Sequence, residues 1–353
     1  MSTRQSRKLE HIAYSLKLSD GPGTTGLEDL VLVHNCLPEL DLADIDLRTS
    51  VAGLAFSCPV YLNALTGGAR DVTEINRQLA RAARACAIPM AVGSQAAALE
   101  DAAVRESFRV VRDEYPEGII LANIGGGATV PEACAAVEMI KADALQIHLN
   151  VAQELAMREG DRTFRGYAKN IGAIAAQSGV PVLAKEVGFG MAGEQATQLL
   201  QLGVAAIDVG GSGGTNFACI ETARITDTTP SFLGFWGIPT AVSLIEVVTA
   251  VAGKTDVLAS GGLRSALDLA KALSLGAKAV GIAAPCLQLL QHRGLEALIA
   301  YLTNLKFELR CIMLLTGAAS VAELQRKPLI IRGSTEQWLK KRGIDTSCFA
   351  HRT

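Results

Sequence analysis

The sequence of 353 residues predicts an α/β fold, a closed (β/α)8 TIM barrel. Two observations carry this: one unit recurs eight times, and every repeat ends in the same kind of residue. The unit is a short run of branched aliphatics followed by an Ala/Leu/Glu/Lys/Arg-rich helical stretch. The runs are "PVYLNA" from 59, "IPMAVG" from 88, "GIILANI" from 118, "DALQIHL" from 143, "PVLAKEV" from 181, "VAAIDVG" from 204, "DVLASG" from 256 and "AKAVGIA" from 277. Continuous apolar runs are what strands buried on both faces require. Each stops in glycine or small polar residues, as in "NALTGG", "ANIGGG", "IHLNVAQE" and "SGGLR". In a barrel those C-terminal strand ends build the site. A doubly wound sheet, the other way to alternate strands and helices, does not ordinarily need eight parallel strands decorated at every end.

One domain is expected over 1–353. Residues 1–55 form an N-terminal arm and a layer beneath or beside the barrel, 56–290 the barrel, and 291–353 C-terminal helices. A hydrophobic content of 49% supplies a sizeable core. The formal net charge is −2 and the richest basic cluster, "WLKKRG", reads as a solvated helix end, which argues against a nucleic-acid partner. The eight cysteines are scattered singly without C-x-x-C, as reduced buried thiols are. No cationic-then-apolar leader opens the sequence and no apolar run reaches about 18 residues, so a soluble cytoplasmic protein is expected.

The densest glycines lie in "DVGGSGGTNF", from Asp208 to Phe217. A G-x-G-x-x-G fingerprint starting at Gly211 would need glycine at 216, where Asn216 stands, and the stretch after 217 reads as loop rather than helix. A dinucleotide is therefore a poor fit. Glycine loops after the sixth and seventh runs, with "GIAAP" after the eighth, suit a phosphate instead. Lys185, at the end of the fifth run, needs an anionic partner if buried. Amide-bearing ends such as "NALTGG" and "ANIG" can bond the rim of an isoalloxazine, and the set points to flavin mononucleotide (FMN).

With those residues in place, the sequence resembles the type 2 isopentenyl-diphosphate isomerase family over nearly its whole length. The matching pieces include "RKLEHI", "LVHNCLPELDLADIDL", "NALTGG", "LQIHLNVAQEL", "KEVGFG", "GGTNF", "WGIPT", "SGGLR" and "LTGA". The resemblance implies an FMN-dependent barrel that interconverts isopentenyl and dimethylallyl diphosphate with NADPH and Mg2+, and a homo-oligomer, tetramer or octamer. It implies flavin contacts at Ala64, Leu65, Thr66, Ser94, Asn123, Lys185, Gly210, Thr215, Gly262, Leu263 and Arg264, with Ala283 and Ala284 near the phosphate. Arg7 and Lys8 would grip the substrate diphosphate, helped by Ser94, Gln95, Ala96, His148, Asn150 and Gln153. Glu154 would hold Mg2+, and Gln153 and His148 would be the catalytic side chains.

Two positions depart from the family pattern. "GSQAAAL" places Ala96 where a cationic residue is expected, and Gly210 stands where a serine hydroxyl would contact the flavin. These leave open a divergent paralogue with another phosphorylated substrate, or a flavin-binding protein without turnover. The rival enzyme class is an FMN oxidoreductase on the same barrel. A 2-hydroxy acid oxidase needs a His base in a His-Gly-Gly-Arg-type loop, and no His lies within thirty residues of "GGSGGTNF". A nucleotide-reductase-like enzyme needs a nucleophilic Cys in a Gly/Ser-rich loop, and Cys219 sits in "NFACIE".

Overall fold

The computed structural model describes residues 20–224 and 231–352, together with 10, 13–14 and 16–18 of the preceding segment. All eight expected strands form: β1 (Val60–Leu62), β2 (Met90–Ala91), β3 (Ile120–Gly125), β4 (Ala144–Leu149), β5 (Val182–Glu186), β6 (Ala206–Asp208), β7 (Asp256–Ala259) and β8 (Ala279–Ile282). They pair in parallel in chain order and close with β8 on β1, so the barrel sheet has no edge.

Alternation along each strand decides what fills the barrel. The lower inward positions are Tyr61, Ala91, Leu121, Ala144, Leu183, Ala206, Leu258 and Ala279, which pack as one apolar cluster. Val51 and Phe56 join that cluster from a hairpin of Thr49–Val51 and Leu54–Phe56. The hairpin stoppers the N-terminal end, and the backbone N–H of Ala52 donates to Asp256 at 2.7 Å. Part of the expected N-terminal layer is thus a plug beneath the barrel. Two residues further along the strands the inward positions turn polar, and that ring belongs to the site.

The helices outside follow from local chemistry. In Thr73–Cys86, Leu79, Ala80, Ala83 and Cys86 are buried, while Arg77 and Arg81 face out to Glu114. Thr129 with Glu132, and Ser265 with Asp268, form capping boxes that start Val130–Ile140 and Ala266–Ser274. No described helix is long and apolar enough to cross a membrane.

Two expectations need correction. The tail after 290 is mostly helical, but Leu329–Ile331 is a strand that pairs antiparallel with Leu30–Leu32. Its partner lies some three hundred residues away, and a three-residue apolar run carries too little periodicity to announce it. The stretch after 217 is also not loop throughout: Phe217–Arg224 is helical. Asn216 accepts from the N–H of Cys219 at 3.1 Å and starts that helix, and Arg224 pairs with Glu221 one turn earlier.

Candidate active site

The upper inward positions carry Asn63, Asn123, Gln146, Lys185, Asp208 and Ser260, all under 9% exposed. A polar layer this deep must satisfy itself, and it does so as one network. The Asp208 carboxylate accepts from Tyr61 Oη at 2.6 Å, Asn63 Nδ2 at 3.0 Å, Ser260 Oγ at 2.6 Å and the Gly210 N–H at 3.1 Å. Asn63 Oδ1 accepts from Gln146 Nε2 at 3.3 Å and from the N–H of Ala64 at 2.8 Å. Gln146 Oε1 accepts from Asn123 Nδ2 at 2.7 Å, and Asn123 Oδ1 meets His148 Nδ1 at 2.8 Å. The chain runs across the barrel from β6 to β4. Burial, reinforced by the neighbouring Asp208 charge and their hydrogen bond, raises the Tyr61 phenol well above its ordinary range, so it stays a donor.

Lys185 stands in register with Asp208 on the adjacent strand and donates to the Glu186 carbonyl at 2.9 Å. Burial presses its ammonium below the ordinary lysine range, and the charges of Asp208 and Glu186 oppose that. Glu186 is pushed by burial up to about 8, although the N–H groups of Phe189 and Gly190 donate to it at 2.6 and 3.1 Å. The buried lysine therefore has protein partners in addition to any anion above it.

The glycines let the rim pack closely. A Cβ on Gly214 would lie 2.4 Å from the N of Gly262, and one on Gly213 would lie 2.4 Å from the N of Thr25. The loops after β6 and β7 and the N-terminal segment thus interlock by backbone. Gly210 has φ +48° and its Cβ would meet the Glu186 carbonyl at 2.0 Å. With this backbone, a serine side chain at position 210 would collide with that carbonyl.

The flavin residues implied by sequence all fall at C-terminal strand ends of the one barrel: Ala64, Leu65 and Thr66 after β1, Ser94 after β2, Asn123 in β3, Lys185 in β5, Gly210 and Thr215 after β6, Gly262, Leu263 and Arg264 after β7, Ala283 and Ala284 after β8. The fit to a flavin rests on side chains as well as place. Thr66 Oγ1 is buried with no hydrogen-bond partner among the described residues, a cost of about 1–3 kcal/mol unless a ligand meets it. The helix opening at Ala284 has no side-chain cap, which leaves its N–H groups for an anion, whereas Asp268 already accepts from Arg264 and Ser265 at the preceding helix. Arg264 donates to the Gly262 carbonyl at 2.6 Å and pairs with Asp20.

After β4, Asn150 Nδ2 donates to Gln153 Oε1 at 3.4 Å and to Glu154 Oε1 at 2.8 Å, while Glu154 Oε2 accepts from the Asp161 N–H at 2.8 Å. His148, Asn150, Gln153 and Glu154 are thereby gathered at one strand end. Gln95 is not with them. It is fully buried, donating to the Ala136 carbonyl at 2.9 Å and accepting from the Asn123 N–H at 2.9 Å, so both ends of its amide are spent inside the wall. Its side-chain amide is therefore turned away from the group at the end of β4. Ala96 begins the short helix Ala96–Glu100 beside it. Arg7 and Lys8 lie outside the described residues. Glu10, just after them, pairs with Arg224 at 2.7 Å, and Gly21 N–H donates to the Gly214 carbonyl at 3.1 Å, which ties the arm to the β6 side of the mouth. Asp208, Asn63, Gln146, Tyr61 and Ser260 were not singled out from sequence. Their signal was present: polar residues at alternate positions within otherwise apolar runs.

This arrangement belongs to the flavin-mononucleotide barrels: the family described as FMN-dependent dehydrogenase matches residues 114–331. Solved structures of mandelate oxidase, with (S)-2-phenylpropionate and with 3,3-difluoro-2-hydroxy-3-phenylpropionic acid, share the fold at TM-scores of 0.65 and 0.66. They are 22% and 21% identical and cover 91% and 92% of this chain and 94% and 95% of their own, a likeness of fold alone. Much nearer are isopentenyl-diphosphate delta-isomerases. That of Symbiobacterium thermophilum is 48% identical with 100% of this chain and 99% of its own covered. Those of Geobacillus sp. and Moorella thermoacetica are 49% and 50% identical, covering 99% and 96% of this chain and 100% and 97% of their own. The chain belongs to the type 2 isopentenyl-diphosphate delta-isomerase family.

Proposed function

We propose that this protein interconverts isopentenyl and dimethylallyl diphosphate, with FMN kept reduced by NADPH and with Mg2+ on the diphosphate. The observation that carries this reading is the pairing of two features at one barrel mouth. One is the buried Thr66 hydroxyl, without a partner among the described residues, beside the polar layer; the other is the Asn150, Gln153 and Glu154 group after β4. A bound reduced flavin would supply electron density against a carbocation-like stage and a site for proton exchange.

The protein's own residues do the rest. Moving the double bond requires a proton added at the terminal methylene carbon and another removed from the carbon next to the one bearing the diphosphate oxygen. Net redox change is zero. His148, with Nδ1 bound to Asn123, directs Nε2 chemistry toward that exchange, and Gln153 orients the reacting carbons beside it. Glu154, held by Asn150, would be the residue to hold Mg2+, an ion that would supply charge neutralisation for the diphosphate. Lys185, at the end of β5, would hold the flavin by offering its ammonium to the ring's polar edge. Arg7 and Lys8 of the arm clamp the diphosphate and exclude water, which a cationic stage needs.

The test is an anaerobic incubation of the protein with FMN, NADPH, Mg2+ and isopentenyl diphosphate. Dimethylallyl diphosphate is expected with NADPH used in less than molar proportion. NADPH oxidised mole for mole into a reduced product would replace this reading with a reductase. Ala96→Arg in the same assay is expected to lower KM if a diphosphate contact is missing at that place; an unchanged KM means another cation supplies it.

A further inference from the structure

The polar layer has a direction. An amide side chain has one donating and one accepting end, so a chain of amides transmits the polarity of whatever anchors it. Here the anchor is fixed twice. Four donors converge on the Asp208 carboxylate, which obliges Asn63 to turn Nδ2 toward it at 3.0 Å. The backbone N–H of Ala64, which can only donate, holds the other end of the same amide as the acceptor at 2.8 Å. With Asn63 set, Gln146 must donate to it and accept from Asn123, at 3.3 and 2.7 Å. Asn123 then presents only its oxygen, 2.8 Å from His148 Nδ1.

We propose that Asp208 is a positioning residue that acts through Asn63, Gln146 and Asn123 to keep the His148 ring proton on Nδ1, so that Nε2 carries the lone pair. The reach is from β6 to β4 through three side chains, none of them exposed beyond 2%. The inference rests on the proposed role of His148 for its consequence in catalysis, but the tautomer itself is a property of the protein and is measured without turnover.

The experiment is nitrogen-15 NMR of the full chain with FMN added, labelled only at its five histidines, with His148 assigned by comparison with His148→Asn. In the parent protein the neutral ring is expected to be protonated at Nδ1. Gln146→Met cuts the relay at its middle. Asp208→Asn sets the two anchors at odds, because the new amide nitrogen avoids the fixed Gly210 N–H and confronts Asn63 Nδ2. In both, the ratio of Nδ1–H to Nε2–H rings is expected to fall about fivefold or more, the worth of one hydrogen bond. Ser260→Ala, which removes a donor to Asp208 but no link of the relay, is expected to leave the ratio unchanged. A parent ring protonated at Nε2, an unmoved ratio in Gln146→Met, or an equal shift in Ser260→Ala overturns the proposal. If Asp208→Asn does not fold, the other two variants decide. A correct tautomer in a protein that turns over no isopentenyl diphosphate would leave the relay standing and remove the isomerase reading instead.

Discussion

The Tyr61 phenol donates to the Asp208 carboxylate at 2.6 Å, and neither side chain has measurable exposure. Tyr61 belongs to the lower, apolar layer of the barrel and Asp208 to the upper, polar one, so this bond joins the structural floor to the site. Hydrogen bonds to charged groups contribute about 1.5–3 kcal/mol. Tyr61→Phe is therefore expected to destabilise the fold by about 2 kcal/mol in urea unfolding near neutral pH. A change below about 0.5 kcal/mol would mean that the remaining three donors already satisfy the carboxylate.

Thr66 gives an opposite pattern. Its buried hydroxyl has no partner among the described residues, so Thr66→Val removes a cost from the protein without flavin and is expected to leave its stability equal or higher by about 1 kcal/mol. The same variant is expected to weaken FMN binding about five- to tenfold, read from quenching of flavin fluorescence. Unchanged affinity would place the flavin away from β1.

Glu186 imposes a pH dependence with a definite sign. The unfolded chain releases this proton near 4.5, whereas the fold retains it up to about 8. Between those values the folded state holds the extra proton, and stability falls as pH rises. Glu186→Gln removes that titration. Between about pH 5 and about pH 8, the variant is expected to lose less thermal stability than the parent. Parallel melting curves for the two proteins would show that the carboxyl ionises normally.

Gly210 tests whether the departure from the family pattern can simply be reversed. With φ +48° and any added Cβ colliding with the Glu186 carbonyl, Gly210→Ser is expected to cost about 2 kcal/mol or more and to weaken flavin binding. A variant with parental melting temperature would mean that this loop shifts freely.

The barrel was legible because its signal is repeated: eight apolar runs, each with a polar end, were all recovered as strands. The places of Lys185, Thr66, Glu154 and the glycine loops followed from the same pattern, with roles supplied by resemblance. What escaped was relational. Asp208 was visible in "DVGG", but three of its four donors come from two other places in the chain, Tyr61 and Asn63 at β1 and Ser260 after β7, and the fourth from the nearby Gly210. Gln95 looked like a ligand beside Ser94, and only its bonds to Ala136 and Asn123 show it turned into the wall. The strand Leu329–Ile331 needed a partner from the opposite end of the chain before its three residues meant anything.

A proton-transfer isomerisation beside a flavin held by this polar layer is tested most directly by turnover in deuterium oxide. Isopentenyl diphosphate would be supplied with FMN, Mg2+ and a limiting amount of NADPH. Deuterium is expected in the newly formed methyl group of dimethylallyl diphosphate, with many product molecules per NADPH consumed. Product without deuterium, or one NADPH spent for each product, would contradict that chemistry.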